Sequence, residues 1–318
     1  VEIVRGHTLL RPSERPTRPV VAIGNFDGVH RGHRHIFERA RALEPTAELC
    51  VLTFDPHPAK VLAPALAPPL ISTPRRKLEL LAEAGVDLTV VEPFDTSFAA
   101  QSPEQFVERI LVDALAARRV CVGYDFTFGR KRAGNTELLA ALGAQHGFEV
   151  SVIPAFTVDG LVCSSTKVRE FVLEGRVDGA ARILGRDPEV EGVVVPGAQR
   201  GRTIGIPTAN LRLESELLPK NGVYAGWAER IGDDGRAGER WVAAINVGTN
   251  PTFVDDNRVV VEAHLLDVNV DLYGARLRVG FGRRLRAEER YASVDDLVAQ
   301  IARDIDDTRA FARERGLA

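Results

Sequence analysis

Gly24-Asn25-Phe26-Asp27-Gly28-Val29-His30-Arg31-Gly32-His33 is the stretch on which the fold turns. It follows the apolar run Val20-Val21-Ala22-Ile23 and opens a segment with helical spacing. A buried strand that passes through a glycine-rich turn into a helix is the unit from which parallel α/β sheets are built. The glycines let the backbone turn tightly and approach a ligand. The helix start offers unpaired N–H groups and a positive dipole end, which together seat a phosphate. His30 and His33 are three residues apart, so in a first helical turn both rings face one spot. Two imidazoles aimed at one phosphorus suit nucleotidyl transfer, because they donate to the charge that grows on the α-phosphate and the departing pyrophosphate. Two plainer readings stand beside this one. His30, His33 and His35 with Asp27 are a possible metal-ligand set, and the same residues also suit a solvated helix start. The turn fits neither G-x-G-x-x-G nor G-x-x-x-x-G-K-[ST].

Outward from this turn, short near-continuous apolar runs recur at 49–54, 88–91, 119–124 and 150–155. Such runs suit strands buried on both faces. Between them lie helical patterns. One starts at Thr73-Pro74, one at the capping box Ser102-Pro103-Glu104-Gln105, and one covers 136–146. The alternation predicts a Rossmann-like, doubly wound parallel sheet. Three further segments follow its strands: Thr53-Phe54-Asp55-Pro56-His57-Pro58, Gly123-Tyr124-Asp125-Phe126-Thr127-Phe128-Gly129 and Ser164-Ser165-Thr166-Lys167-Val168-Arg169. Open α/β sheets bind ligands past the carboxyl ends of their strands, so all four segments share one edge. Lys167 and Arg169 are within reach of a triphosphate at that helix start. Phe126 and Phe128 read equally as core or as flavin or adenine contacts.

Near Arg186 the pattern changes. Strands follow one another at 190–195, 222–229, 240–247, 258–266 and 275–281, separated by Gly, Pro, Asn and Asp. This predicts an antiparallel sheet or small barrel. A last helix carries Val294, Leu297, Val298, Ile301 and Ile305 on one stripe. The expected domains are 1–186 and 187–318. A chain of 318 residues with 45% hydrophobic side chains has material for two cores. The net charge of −3 argues against a general nucleic-acid binder, and no apolar run is long enough to span a membrane. The N-terminus shows no secretion-signal pattern. Cys50, Cys121 and Cys163 read as buried thiols of a reducing, cytoplasmic setting. Monomer and homo-oligomer both remain open.

The second half has its own chemistry. Gly197, Gly201 and Gly205 alternate with Arg200 and Arg202 before Pro207-Thr208-Ala209-Asn210. Such a loop wraps phosphates with backbone N–H groups. Thr208 and Asn210 point the same way on an extended chain, and their oxygens suit Mg²⁺ bound to ATP. The bland alternative is a surface hairpin. Alternation places Glu262 and His264 opposite Val261, Ala263 and Leu265, so Glu262 is either a solvated strand residue or a base for a hydroxyl proton.

The four N-terminal segments together resemble the FMN adenylyltransferase module of bacterial FAD synthetases, and His30-Arg31-Gly32-His33 matches the H-x-G-H signature of the wider nucleotidyltransferase superfamily. The resemblance implies that His30 and His33 act on the ATP phosphates and that Ser164, Ser165, Thr166 and Arg169 hold the triphosphate. It implies ATP or flavin contacts from Gly24, Asn25, Phe26, Asp27, Gly28, Asp55, Gly123, Asp125, Phe126 and Phe128. Pro207–Asn210, with Asn221-Gly222-Val223-Tyr224-Ala225-Gly226 and the segment from Asn246 to Phe253, resembles bacterial riboflavin kinase. That resemblance implies a six-stranded antiparallel barrel, Thr208 and Asn210 on Mg²⁺ and nucleotide, and Glu262 as catalytic base. It adds contacts from Gly197, Arg200, Gly201, Arg202, Gly205, Pro207, Tyr224, Asn246 and Arg290. Both resemblances point to one flavin pathway: riboflavin, FMN and ATP as substrates, with Mg²⁺ serving both steps. The rivals are an enzyme with one silent half and a flavin carrier without turnover.

Overall fold

The computed structural model describes residues 1–10, 16–197, 205–232, 235–249, 259–268 and 270–317. They form two compact units, Val1–Pro69 with Pro74–Ser164 and Leu70–Thr73 with Ser165–Ala318.

The first unit is built on six parallel strands: β1 (Glu2–Arg5), β2 (Val20–Ile23), β3 (Leu49–Asp55), β4 (Leu88–Pro93), β5 (Arg119–Gly123) and β6 (Glu149–Ile153). Their order is β1-β4-β3-β2-β5-β6. Helices α1 (Arg31–Leu43), α2 (Pro58–Leu62), α3 (Pro74–Glu83), α4 (Thr96–Ala99), α5 (Pro103–Phe106) and α6 (Thr136–His146) connect them. A π-helical stretch, Val107–Ala114, continues α5. Successive residues of the central strands bury toward opposite layers. Val21, Ile23, Cys50, Leu52, Val120 and Val122 join one core cluster, while Val20, Ala22, Leu49, Val51 and Cys121 join another. That is why these strands read as unbroken apolar runs. The capping box forms as the sequence predicts, with Ser102 and Gln105 each satisfying the other's backbone N–H. The edge strand β1 was not expected. Only Val4 of its four residues is buried, so it carries no apolar run.

Strand order reverses between β2 and β5. From β2 the chain moves to β3 and β4 on one side, then returns to β5 and β6 on the other. The turns after β2 and β5 therefore diverge at the carboxyl edge and leave a crevice, the position where open α/β sheets take their ligands.

The second unit holds α7 (Ser165–Leu173), α8 (Val177–Leu184) and a closed antiparallel barrel. Its strands are β9 (Glu189–Val195), β10 (Ala209–Leu213), β11 (Gly222–Ile231), β12 (Ala237–Thr249), β13 (Val259–Leu265) and β14 (Arg276–Arg286), in the order β10-β13-β12-β11-β14-β9. (The hairpin β7–β8, Thr157–Val158 and Leu161–Val162, belongs to the first unit.) Val261, Ala263 and Leu265 fill the barrel, and Glu262 and His264 face outward, as alternation requires.

Helix α9 (Val294–Arg315) closes the chain, but its buried face is not the predicted stripe. Asp304, Thr308, Phe311 and Ala312 are its buried residues, Leu297, Val298, Ile301 and Ile305 are only half-buried, and Val294 is 62% exposed. The docking contact lies in the second half of the helix. There Asp304 receives Arg286 of β14 through paired bonds of 3.0 and 2.7 Å, so a carboxylate occupies a position where periodicity asks for an apolar residue.

Residues before 187 contribute to the barrel's packing. Val177 is a member of its core, and Thr73 donates 2.6 Å to the buried Glu191, which pairs in turn with Arg278 at 2.9 Å. A fragment of residues 187–318 is expected to fold, but to melt several degrees below one of residues 165–318, since losing the burial of Val177 alone costs roughly 2 kcal/mol. Equal calorimetric midpoints for the two fragments would show that α7 and α8 are dispensable to the barrel.

Candidate active sites

The first candidate site is the turn after β2. Phe26, Gly28 and Val29 all hold positive φ, at 48°, 75° and 38°. A bulky and a β-branched residue adopt that region only when their surroundings impose it, and here both side chains are buried. The turn delivers His30 to the N-cap of α1, where Nδ1 accepts the His33 backbone N–H at 3.3 Å. A nitrogen that accepts carries no proton, so a neutral His30 ring has its hydrogen on Nε2. The His30 and His33 rings stack with centroids 3.5 Å apart and planes 21° apart. A side chain at Gly32 would crowd the His30 ring and the Cys163 carbonyl at 3.0 Å. Asp27 and His30 are buried, while Asn25 is exposed at the lip of the turn.

His33 is half-buried as a residue, but its Nδ1 is enclosed and lacks a hydrogen-bond partner among the described residues. Burial, then the neighbouring His30, then Lys77, hold its pKa well below the usual imidazole range. The folded state keeps this ring neutral, whereas the unfolded chain protonates it near pH 6.5. Below about pH 6.5 the unfolded state thus binds more protons, and stability falls as pH drops toward the lowered value. Thermal midpoints measured between about pH 7 and 5 should fall more steeply for the wild type than for His33→Asn. Parallel profiles would rule out a depressed His33.

The second candidate site lies on the outer face of the barrel. Asn210 of β10 and Asn246 of β12 are both register partners of Glu262 on β13. Directly opposed residues have Cβ atoms about 4.5–5.5 Å apart, so the carboxylate stands in a row between two amides. All three are half-buried. His264, one step along the same face, contacts the Pro207 carbonyl through Nδ1 at 2.8 Å and pins the segment that carries Thr208. Asn210 Nδ2 lies 3.4 Å from Thr208 Oγ1, and a Cβ on Gly197 would strike the Asn210 amide at 2.4 Å. Gly197, Pro207, Thr208 and Asn210 line a cavity of about 260 Å³.

Among the described residues no three of His, Cys, Asp and Glu gather as metal ligands, which leaves the histidine-cluster reading without a site. Thr208 and Asn210 offer neutral oxygens instead. Two such oxygens fit Mg²⁺, which keeps much of its shell as water and phosphate.

Residues 13–167 match the FAD synthetase family and residues 184–312 the riboflavin kinase family. The chain is 38% identical over 315 residues to the bifunctional riboflavin kinase/FMN adenylyltransferase of Escherichia coli (strain K12), covering 98% of both chains. It is 38% identical to the protein of the same name from Listeria monocytogenes, covering 92% of each. The chain belongs to the bifunctional riboflavin kinase/FMN adenylyltransferase family. A solved structure described as a macrolide-efflux protein from Streptococcus pneumoniae shares the fold with a TM-score of 0.84, at 30% identity over 97% of this chain and 99% of that one. No helix among the described residues is long and apolar enough to cross a membrane.

Against the contacts that membership of this family suggests, three aromatic residues stand apart. Phe26 is buried between Phe37 at 5.0 Å and the edge-on His33 ring at 5.2 Å, so it backs the histidine from within the core. Phe128 is buried against Phe106 at 5.4 Å, while Phe126, stacked on it at 5.5 Å, remains half-buried. Tyr224 is fully buried, edge-on to Phe281 at 5.3 Å, with its hydroxyl donating to the Lys220 carbonyl. Phe26 and Phe128 lie in turns past strand ends that fold back over the sheet cores, and Tyr224 points from β11 into the barrel core. Asp55 is half-buried near Arg5, and Asp125 is exposed beside Gly123. Ser164 ends the first unit; Ser165, Thr166 and Arg169 lie on α7 of the second. Lys167 of that helix pairs with Glu170 at 2.6 Å. Gly205 is exposed at φ 78°, and Arg290 is exposed after β14. Arg200, Gly201 and Arg202, and residues 250–253, lie outside the described residues. Sequence reasoning passed over Lys77, a helix lysine among arginines, because nothing in its spacing distinguishes it from a solvated position.

Proposed function

We propose that the chain phosphorylates riboflavin to FMN on the barrel and adenylylates FMN to FAD on the parallel sheet, using ATP for both steps. The observation that carries this reading is the presence in one chain of two phosphate-handling arrangements. These are the stacked His30–His33 pair at a helix start and the Asn210–Glu262–Asn246 row.

In the kinase step Glu262 takes the proton of the ribityl hydroxyl as that oxygen attacks the γ-phosphorus and ADP departs. Thr208 and Asn210 would hold Mg²⁺ with the nucleotide, where it would supply positive charge to the transferred phosphoryl group. Gly197, Arg200, Gly201, Arg202, Gly205 and Pro207 wrap the phosphates, and Asn246 and Arg290 complete the ligand contacts.

In the adenylyl step a phosphate oxygen of FMN attacks the α-phosphorus of ATP, and the bond to pyrophosphate breaks. His30 donates from Nε2 to the charge that develops, with His33 stacked against it. Ser164, Ser165, Thr166 and Arg169 hold the triphosphate. Gly24, Asn25, Asp27, Gly28, Asp55, Gly123 and Asp125 shape the nucleotide and flavin seat. The kinase domain is taken as 187–318 and the adenylyltransferase domain as 1–186, working in the cytoplasm.

Incubation of the full chain with riboflavin, ATP and Mg²⁺ should give FMN and then FAD by chromatography, and removal of Mg²⁺ should stop both. FMN without FAD would identify a silent sheet domain. Flavin binding without ATP consumption would identify a carrier.

A further inference from the structure

Lys77 sits in Arg75-Arg76-Lys77-Leu78-Glu79 of α3, a setting that reads as a solvated helix face. Its neighbours pair along their own helix: Arg75 and the buried Arg76 with Glu79, and Arg76 also with Glu83 at 2.6 Å. Lys77 turns inward instead. Its Nζ donates to Thr53 Oγ1 at 3.2 Å and to the Phe54 carbonyl at 3.1 Å, at the carboxyl end of β3. Thr53 is fully buried, and its hydroxyl donates onward to the Asn25 carbonyl at 3.0 Å. A hydroxyl has one proton to give and lone pairs to receive, so the direction of this relay is fixed: Lys77 to Thr53 to Asn25. The relay runs from α3 across β3 into the turn that carries His30 and His33.

The ammonium has three hydrogens, and protein oxygens take two of them. Lys77 forms no ion pair among the described residues. Asp27 and Asp55 favour its charge from a distance, but burial outweighs them and lowers its pKa. Lys77 is half-buried; a cation withdrawn from water with incomplete compensation is costly, and such groups mark places where an anion is received. Its field also reaches His33.

We propose that Lys77 is a positioning residue for adenylyl transfer, fixing the Asn25–His30 turn through Thr53 and holding a positive charge behind His33 for the ATP phosphates. The proposal rests on the nucleotidyl-transfer reading of that turn.

The test uses the full chain with Lys77→Met, which keeps an unbranched side chain and removes the charge. The kcat for FMN-to-FAD conversion should fall roughly tenfold to hundredfold, more than KM for ATP rises, as a misaligned site requires. Lys77→Arg should recover part of the loss, and riboflavin phosphorylation should be unchanged. In ¹³C-labelled histidine spectra, the His33 midpoint should rise in Lys77→Met because a nearby cation has gone. A folded Lys77→Met with kcat within twofold of wild type, or with an unmoved His33 midpoint, overturns the proposal. If Lys77→Met does not fold, Thr53→Val decides: it cuts the relay and should lower kcat several-fold, and an unchanged kcat overturns the proposal. Failure of the underlying reading looks different, because the wild type itself would then make no FAD.

Discussion

Glu262→Gln is expected to reduce riboflavin phosphorylation about 10²–10⁴-fold while FMN-to-FAD conversion continues at the wild-type rate. Glutamine keeps the size of the side chain and its hydrogen bonding, but accepts no proton near neutral pH. The row in which Glu262 stands sharpens the expectation. Its register partners are Asn210 and Asn246, and an amide does not replace a carboxylate as a base. Another titratable group on that face is His264, two residues along β13. A carbonyl only accepts, so when His264 Nδ1 donates to Pro207 O, a neutral ring has its lone pair on Nε2. A loss of only a few-fold in Glu262→Gln would therefore assign Glu262 to positioning the hydroxyl and make His264 the next base to test. FAD formation from added FMN serves as the control. A parallel loss of both half-reactions would indicate misfolding or coupled sites.

The elements that sequence revealed are those whose burial has a simple period. The central strands of the sheet are covered on both faces, so 20–23, 49–55 and 119–123 stand out as apolar runs. Strand β1 does not, because an edge strand that buries only Val4 carries no pattern. Strand β10 was likewise missed, since Leu211 is its single buried residue. The same limit applies to the sites. Asn210, Glu262 and Asn246 were each singled out, but their adjacency depends on the pairing register of three strands, two of them far apart in sequence. Spacing did reveal the His30–His33 pair, because one helical turn brings residues three apart together. At Phe26 and Tyr224, where the resemblance implies ligand contacts, and at Phe128, which reads equally as core, the structure buries the rings. Lys77 has the opposite history. Its neighbours make it look solvated, and only the parallel placement of β3 beside β2 links it, through Thr53, to the Asn25–His30 turn.

His33→Ala is expected to lower FMN adenylylation about 10²–10³-fold and to leave riboflavin phosphorylation intact, so that FMN accumulates without FAD. The ring lies between Phe26, edge-on at 5.2 Å, and His30, stacked at 3.5 Å. Alanine therefore removes both a donor and the support that orients the His30 ring. His33→Asn separates these contributions, because it restores a side-chain N–H donor without rebuilding the aromatic stack. If the donor dominates, the asparagine variant should regain part of the lost rate. If orientation of His30 dominates, both variants should fall together, and His30→Ala should add little to either, as expected for residues that act as one unit. Alanine and asparagine at position 33 both keep the backbone N–H that His30 Nδ1 accepts, so the donor that sets the His30 tautomer is present in both variants. FAD formation near the wild-type rate in His33→Ala would remove His33 from phosphate chemistry and leave the helix N-terminus and His30 to bear the developing charge.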